Sequence, residues 1–168
     1  IMVGTGKGAE HGVLIKGGEA LETAHKVEIV ILDKTGTITE GKPRVTDIIT
    51  RGKISENELL RLAASAEVGS EHPLGDAIVS SAKDMNMELI KVDSFEAIPG
   101  HGIEVSLQGK KMLLGNKRLM DDRNIQITLQ DESDKLASEG KTPMFIAIDG
   151  KLEGIIAVAD VIKPSSRK

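Results

Sequence analysis

Hydrophobic positions recur along this chain at two spacings, and the changes between them mark its elements. Val27 to Leu32 is almost wholly apolar, with Glu28 the exception. Such a run reads as a buried strand of a parallel sheet. Ahead of it, Val13-Leu14-Ile15 is a short strand candidate, and Gly17-Gly18 turns into a short helix over Glu19 to Ala24. Gly41-Lys42-Pro43 then breaks the chain. Val45 to Ile49 alternates weakly, as a strand does. Ser55-Glu56-Asn57-Glu58 is a capping box, and Leu59, Leu62, Ala63 and Ala66 follow at helical spacing to about Val68. Gly69 to Pro73 interrupts that helix, and Pro73 suits the first turn of a second, with Leu74, Ala77, Ile78 and Ala82 facing inward. Glu67 therefore sits near one end of a helical hairpin and His72 in its joint.

The pattern then turns to period two. Val92 to Ile98 is a strand, Pro99-Gly100-His101-Gly102 a tight turn, and Ile103, Val105 and Leu107 alternate. Gln108-Gly109 turns and Lys111 to Leu114 returns. Gly115-Asn116 opens a short helix to about Asp121. Thr128 is placed to cap another, with Leu129 and Leu136 inward and Gly140 past its end. Met144 to Ile148 and Leu152 to Val158 flank Asp149-Gly150, the favoured two-residue hairpin turn. The expected fold class is mixed α/β (α+β). An antiparallel sheet with flanking helices, over residues 43–157, is inserted between residues 1–42 and residues 158–168.

Composition narrows the function. The chain has 168 residues, 39% hydrophobic and 29% charged, with a net charge of −4. No basic block is present, which argues against nucleic acid as a partner. With no Trp or Tyr and only Phe95 and Phe145, a base-stacking platform is hard to build. Absence of cysteine excludes disulfides, thiolate metal sites and cysteine catalysis. No apolar run approaches the roughly 18 residues of a membrane span, and no signal-peptide pattern is seen. Ile1-Met2-Val3 lacks an initiator methionine, as expected of an excised piece. Gly4-Thr5-Gly6-Lys7-Gly8-Ala9 imitates a dinucleotide-binding pattern, but no strand precedes it and no Gly-Lys-Ser/Thr follows. His11 and His25 have no partner ligands at metal spacing.

The chemistry begins at Asp33, followed by Lys34-Thr35-Gly36-Thr37. Ligands of open α/β sheets bind outside the carboxyl ends of strands. A carboxylate there can attack phosphorus, Thr35 and Thr37 can donate to phosphate oxygens, and Gly36 lets backbone N–H groups approach. The plain alternative is a strand-to-loop turn with a solvated aspartate. Asp-Lys-Thr-Gly-Thr resembles the phosphorylation motif of P-type ATPases, within the haloacid-dehalogenase-like fold. The resemblance implies that Asp33 takes the γ-phosphoryl group of ATP, and that Asp33 and the Thr35 carbonyl supply part of a Mg²⁺ shell. Related phosphatases carry a second aspartate where Thr35 stands. Threonine cannot shuttle a proton near neutral pH, so a persistent phosphoenzyme is expected.

A second group strengthens the resemblance. Ser70-Glu71-His72-Pro73-Leu74, Glu67 upstream, Gly100 and Gly102, and Gly115-Asn116 are similar in order and spacing to the nucleotide-binding domain of heavy-metal-transporting P-type ATPases. Glu67 can accept from the adenine amine, and His72 offers a flat ring and a hydrogen bond. Gly100 and Gly102 can admit ligand close to the backbone. Asn116 can reach ribose or cap a helix. Each residue alone would be ordinary: a helix glutamate, a joint histidine, turn glycines, a cap. The resemblance also matches Asp160 to an aspartate at the hinge between domains.

What it implies is the ATP-binding catalytic fragment of a heavy-metal exporter, the cytoplasmic portion of a membrane protein. The segment before Val13 would leave the last membrane helix. The cargo would be Cu⁺ bound outside this chain, with zinc or cadmium the close alternative. Partners would be ATP and the remaining phosphorylation, actuator and membrane domains. The later Thr-Gly-Asp, lysine and Gly-Asp-Gly-x-x-Asn-Asp motifs of the family are not in the sequence, so ATP binding with little or no turnover is expected. Residues 1–40 would be poorly ordered or pack on another copy. The rivals are a soluble phosphatase of the same superfamily with a cap domain, and a pure nucleotide-binding module.

Overall fold

The computed structural model describes residues 2–167, with the side chains of Met2 and Arg167 left aside. The chain forms two units, Ile1–Asp33 and Lys34–Lys168. The first holds two helices, α1 (Met2–Glu10) and α2 (Gly18–Ala24). The glycine-rich pattern thus lies inside α1, not in a phosphate-binding loop. Val13-Leu14-Ile15 is not a strand.

Nor is Val27 to Leu32, which corrects the expectation of a buried parallel strand. Ile29, Val30 and Ile31 are 79%, 71% and 92% exposed. A strand needs a neighbour for its backbone N–H and C=O groups. None of the described strands pairs with this stretch; every pairing in the sheet is antiparallel. The apolar run records a capacity to be buried that these residues leave unused.

The second unit is built on one six-stranded sheet in the order β1-β6-β5-β4-β3-β2. The strands are β1 (Thr39–Thr50), β2 (Ser94–Ile98), β3 (Gly102–Leu107), β4 (Lys110–Gly115), β5 (Thr142–Ile148) and β6 (Lys151–Ile162). Between them lie α3 (Glu56–Glu67), α4 (Pro73–Asp84), α5 (Lys117–Asp122) and α6 (Gln130–Ser138). Side chains alternate across the central strands and build two cores. Ile103, Val105, Met112, Leu114, Ile146 and Ile156 face α3 and α4. Leu113, Phe145, Ala147, Ile155 and Ala157 face α5 and α6. The period-two pattern is therefore apolar on both faces at β4 to β6, as sheets covered on both sides require.

Local chemistry explains the boundaries. The Ser55 hydroxyl accepts from the Glu58 N–H at 3.2 Å. The reciprocal half of the capping box is not made: both Glu58 oxygens bind Arg61, at 2.9 Å each. Gln108-Gly109 and Asp149-Gly150 all have positive φ, between 46° and 80°, as type I′ hairpins demand. Thr128 does not cap α6; Leu129 precedes that helix without a side-chain cap.

Gly41-Lys42-Pro43 does not end the chain's extension. β1 runs through it with a shift in register between Thr39 and Pro43, and Gly41 takes φ +72°. Proline is tolerated because β1 is an edge strand. β1 and β6 lie side by side from Thr39↔Ile162 to Thr50↔Gly154, longer than the stretches Val45 to Ile49 and Leu152 to Val158 suggested. The incoming and outgoing strands of the unit are thus tied together along their length. Gly154 makes this possible, since a Cβ there would collide with the Ile49 carbonyl and with Leu59. Gly154→Ala should cost about 2 kcal/mol by overpacking. A urea midpoint equal to wild type would contradict that close β1–β6 approach.

Candidate nucleotide-binding cleft

Glu67 ends α3 and is 4% exposed, which is unusual for a carboxylate. Its Oε2 is buried and has no hydrogen-bond partner. Burial raises its pKa above the ordinary 4.5, with Asp76 adding to the rise; the Ser70 hydroxyl and His72 pull the other way. Gly75, in the first turn of α4, leaves the room: a Cβ there would collide with the Glu67 carboxylate and come within 3.1 Å of Ser70 Oγ.

His72 is the N-cap of α4, and its Nδ1 accepts from the Leu74 N–H at 3.2 Å. An accepting Nδ1 places the proton of the neutral ring on Nε2, so His72 presents a donor beyond the helix. The Ser70 hydroxyl accepts from the His72 N–H at 3.2 Å and so shapes the joint between α3 and α4.

The facing wall is the β2–β3 turn and the start of α5. Gly102 pairs with Gly115 across β3 and β4. A Cβ on Gly102 would collide with the Leu114 carbonyl, and one on Gly115 with the His101 carbonyl. These two glycines serve the contact of chain with chain, and both also line the cleft described below. Gly100 differs: its φ is +74° and a Cβ would meet nothing within 4 Å. It faces open space, as an approach point would. Asn116 is engaged at both ends, its Oδ1 accepting from Leu119 N at 3.2 Å and its Nδ2 donating to the Gly100 carbonyl at 2.8 Å. It caps α5 and braces the turn.

These walls enclose one cleft of about 390 Å³, lined by Glu67, His72, Gly100, Gly102, Gly115 and Asn116 together with Ser70, Leu74, Ile98, His101, Ile103 and Met144 among others. All six residues named as nucleotide contacts therefore come together, although they span three separate stretches of sequence. Size and lining suit a small-molecule site, apolar with a few polar groups. Ser70 and His101 lie in the motif and the turn quoted above without being named there as contacts, nor was Gly75 named. His101 lies between the two glycines, and its Nδ1 is 2.9 Å from the Pro99 carbonyl.

The phosphorylation-like turn lies apart from this cleft's lining. Thr35 (φ −76°, ψ 121°) and Gly36 (φ 76°, ψ −15°) form a type II turn, which needs glycine at its second central position. Asp33, Lys34, Thr35 and Thr37 are exposed. Among the described residues no three His, Cys, Asp or Glu gather as a metal site. Asp33 and Thr35 here do not make a complete magnesium site.

A family model described as haloacid dehalogenase-like hydrolase matches residues 27–168. The chain belongs to that family. Within it, the chain is 48% identical over its full length to a copper-exporting P-type ATPase of Bacillus subtilis, covering 21% of that protein. It is 50% identical over 99% of its length to one of Staphylococcus saprophyticus, covering 20%. The chain thus spans about a fifth of the length of these curated relatives. Among solved structures it resembles a zinc-transporting PIB-type ATPase in the E2.Pi state, at 37% identity and TM-score 0.86, over 99% of this chain and 27% of that one. It also resembles the N-domain of a copper-transporting P-type ATPase, at 28% identity and TM-score 0.59, over 70% of this chain and 99% of that one. No helix among the described residues is long and apolar enough to cross a membrane.

The raised pKa of Glu67 has a definite sign in stability. The protonated form is the better buried, so its stabilisation is complete below pH 4.5 and is lost as pH rises through the raised native pKa. Glu67→Gln should therefore gain stability over wild type as pH rises from about 4.5 toward 8, read from thermal melts without nucleotide. A difference independent of pH would contradict the burial of that carboxyl.

Proposed function

We propose that this chain is the ATP-binding portion of a heavy-metal-transporting P-type ATPase, with residues 43–157 as the nucleotide-binding domain and residues 1–42 and 158–168 as parts of the phosphorylation domain. The observation that carries the reading is Glu67. A buried carboxylate oxygen without a partner, at the floor of a cleft that His72 overlooks, is costly unless something completes it. The exocyclic amine of adenine is a donor of the right kind. His72 contributes its ring face and Nε2–H, and Gly100 leaves the turn open to the base or sugar. Gly102, Gly115 and Asn116 hold the wall in place.

Asp33 is the proposed acceptor of the γ-phosphoryl group, with Lys34, Thr35 and Thr37 beside it in sequence. Its carboxylate would attack the γ-phosphorus with release of ADP, giving an acyl phosphate. Magnesium, when bound, neutralises charge on the transferring group. Among the described residues, Asp33 and the Thr35 carbonyl would hold only part of its shell. Phosphoryl transfer by this chain alone is expected to be slow or absent. Copper as cargo follows the curated relatives' names, and it would be bound outside this chain, alongside the actuator and membrane domains as partners. The zinc-transporting structure keeps zinc as the alternative.

Calorimetric titration with ATP tests the reading. Wild type should bind saturably, and His72→Ala should weaken binding roughly tenfold, about the value of one good hydrogen bond. No binding, or binding indifferent to His72, would overturn it. Hydrolysis of a generic aryl phosphate would point instead to the phosphatase.

A further inference from the structure

The turn after Asp33 is held by the end of β6, remote in sequence but paired with the start of β1. Thr39 is 2% exposed, the one buried polar residue near this turn. Its hydroxyl accepts from the Gly36 N–H at 3.2 Å and meets the Lys34 carbonyl at 3.0 Å. The same hydroxyl donates to Asp160 Oδ2. The other oxygen of Asp160 accepts from the Gly41 N–H at 2.9 Å. Three residues on, Lys163 Nζ donates to the Gly36 carbonyl at 2.6 Å, and the Lys163 N–H to the Ile38 carbonyl at 2.9 Å.

Both carboxylate oxygens of Asp160 and both nitrogens of Lys163 are thus engaged with Gly36 to Gly41. A hinge that only joined two units would need none of these contacts. The bonds from Asp160 and from the Lys163 ammonium are charge-assisted and so among the strong ones. They act across the β1–β6 pair, where the chain enters the sheet and leaves it.

We infer that Asp160 and Lys163 are positioning residues for the acceptor turn: through Thr39 and Gly41 they fix the backbone of Lys34 to Gly36, the peptides that follow Asp33. This deepens the reading of Asp33 as phosphoryl acceptor and rests on it. The consequence for that reaction is geometric. With the turn clamped, the Gly36 N–H points at Thr39 rather than toward incoming phosphate, so the latch sets which backbone donors the turn can offer.

Amide hydrogen exchange resolved by residue tests the latch in the whole chain. Thr39→Val removes the hydroxyl at nearly constant shape, Thr39→Ser keeps it, and Asp160→Asn and Lys163→Met remove the charged partners. Exchange at Gly36 should rise at least about tenfold in Thr39→Val and Asp160→Asn, and return close to wild type in Thr39→Ser. Gly41 should follow Asp160→Asn. ATP affinity and exchange in β4 and β5, remote from the turn, serve as controls and should stay within about twofold. Unchanged exchange at Gly36 in Thr39→Val and Asp160→Asn overturns the inference, as does a rise spread equally over β4 and β5. Failure of wild type to bind ATP would remove the functional reading while leaving the exchange result to decide the latch.

Discussion

The site depends on one close approach of two backbones. Gly102 and Gly115 sit opposite each other where β3 begins and β4 ends, so near that neither position can carry a side chain. That contact sets where the β2–β3 turn lies. The turn's position lets Asn116 cap α5 and brace the Gly100 carbonyl with the same amide. Across the gap the α3–α4 joint presents Glu67 and His72. Two packing glycines, one double-ended asparagine and one capping histidine thus hold open a cleft whose buried carboxylate, Glu67, keeps one oxygen without a partner.

Energetically the arrangement is a sheet with two finished cores and one unfinished polar site. Both faces of β4 to β6 are buried, so the cleft stands on rigid strands. The cost is concentrated at Glu67, where desolvation is only partly offset by Ser70 and His72. A buried group left incomplete in a well-packed scaffold calls for a ligand, and an adenine amine has the chemistry to answer.

Most of the second unit was legible from pattern alone, because its signals are local. Ser55, Pro73 and the Gln108-Gly109 and Asp149-Gly150 turns each act within a few residues. The misses are long-range. Val27 to Leu32 has the composition of a strand, but no composition states whether a neighbour is present to pair with it. The length of β1 was hidden by Gly41 and Pro43, which an edge strand accepts through a shift in register. In the cleft, Glu67, His72 and Gly100 lie together with Gly102, Gly115 and Asn116, which is a matter of place and not of role. Gly102 and Gly115 are there for reasons of packing that only tertiary contact reveals. Ser70 and Gly75 belong to the motif around His72, but their part in making room and hydrogen-bonding around Glu67 is one no motif spells out.

The central claim is that nucleotide occupies the space between the α3–α4 joint and the β2–β3 turn. Backbone amide shifts of the isotopically labelled chain, followed during titration with ATP, test it most directly. Binding in that cleft predicts perturbations centred on Glu67 to Leu74, Ile98 to Ile103 and Gly115-Asn116, with α6 and the β5–β6 turn unmoved. Saturable shifts centred elsewhere, or none at saturating ATP, would contradict it.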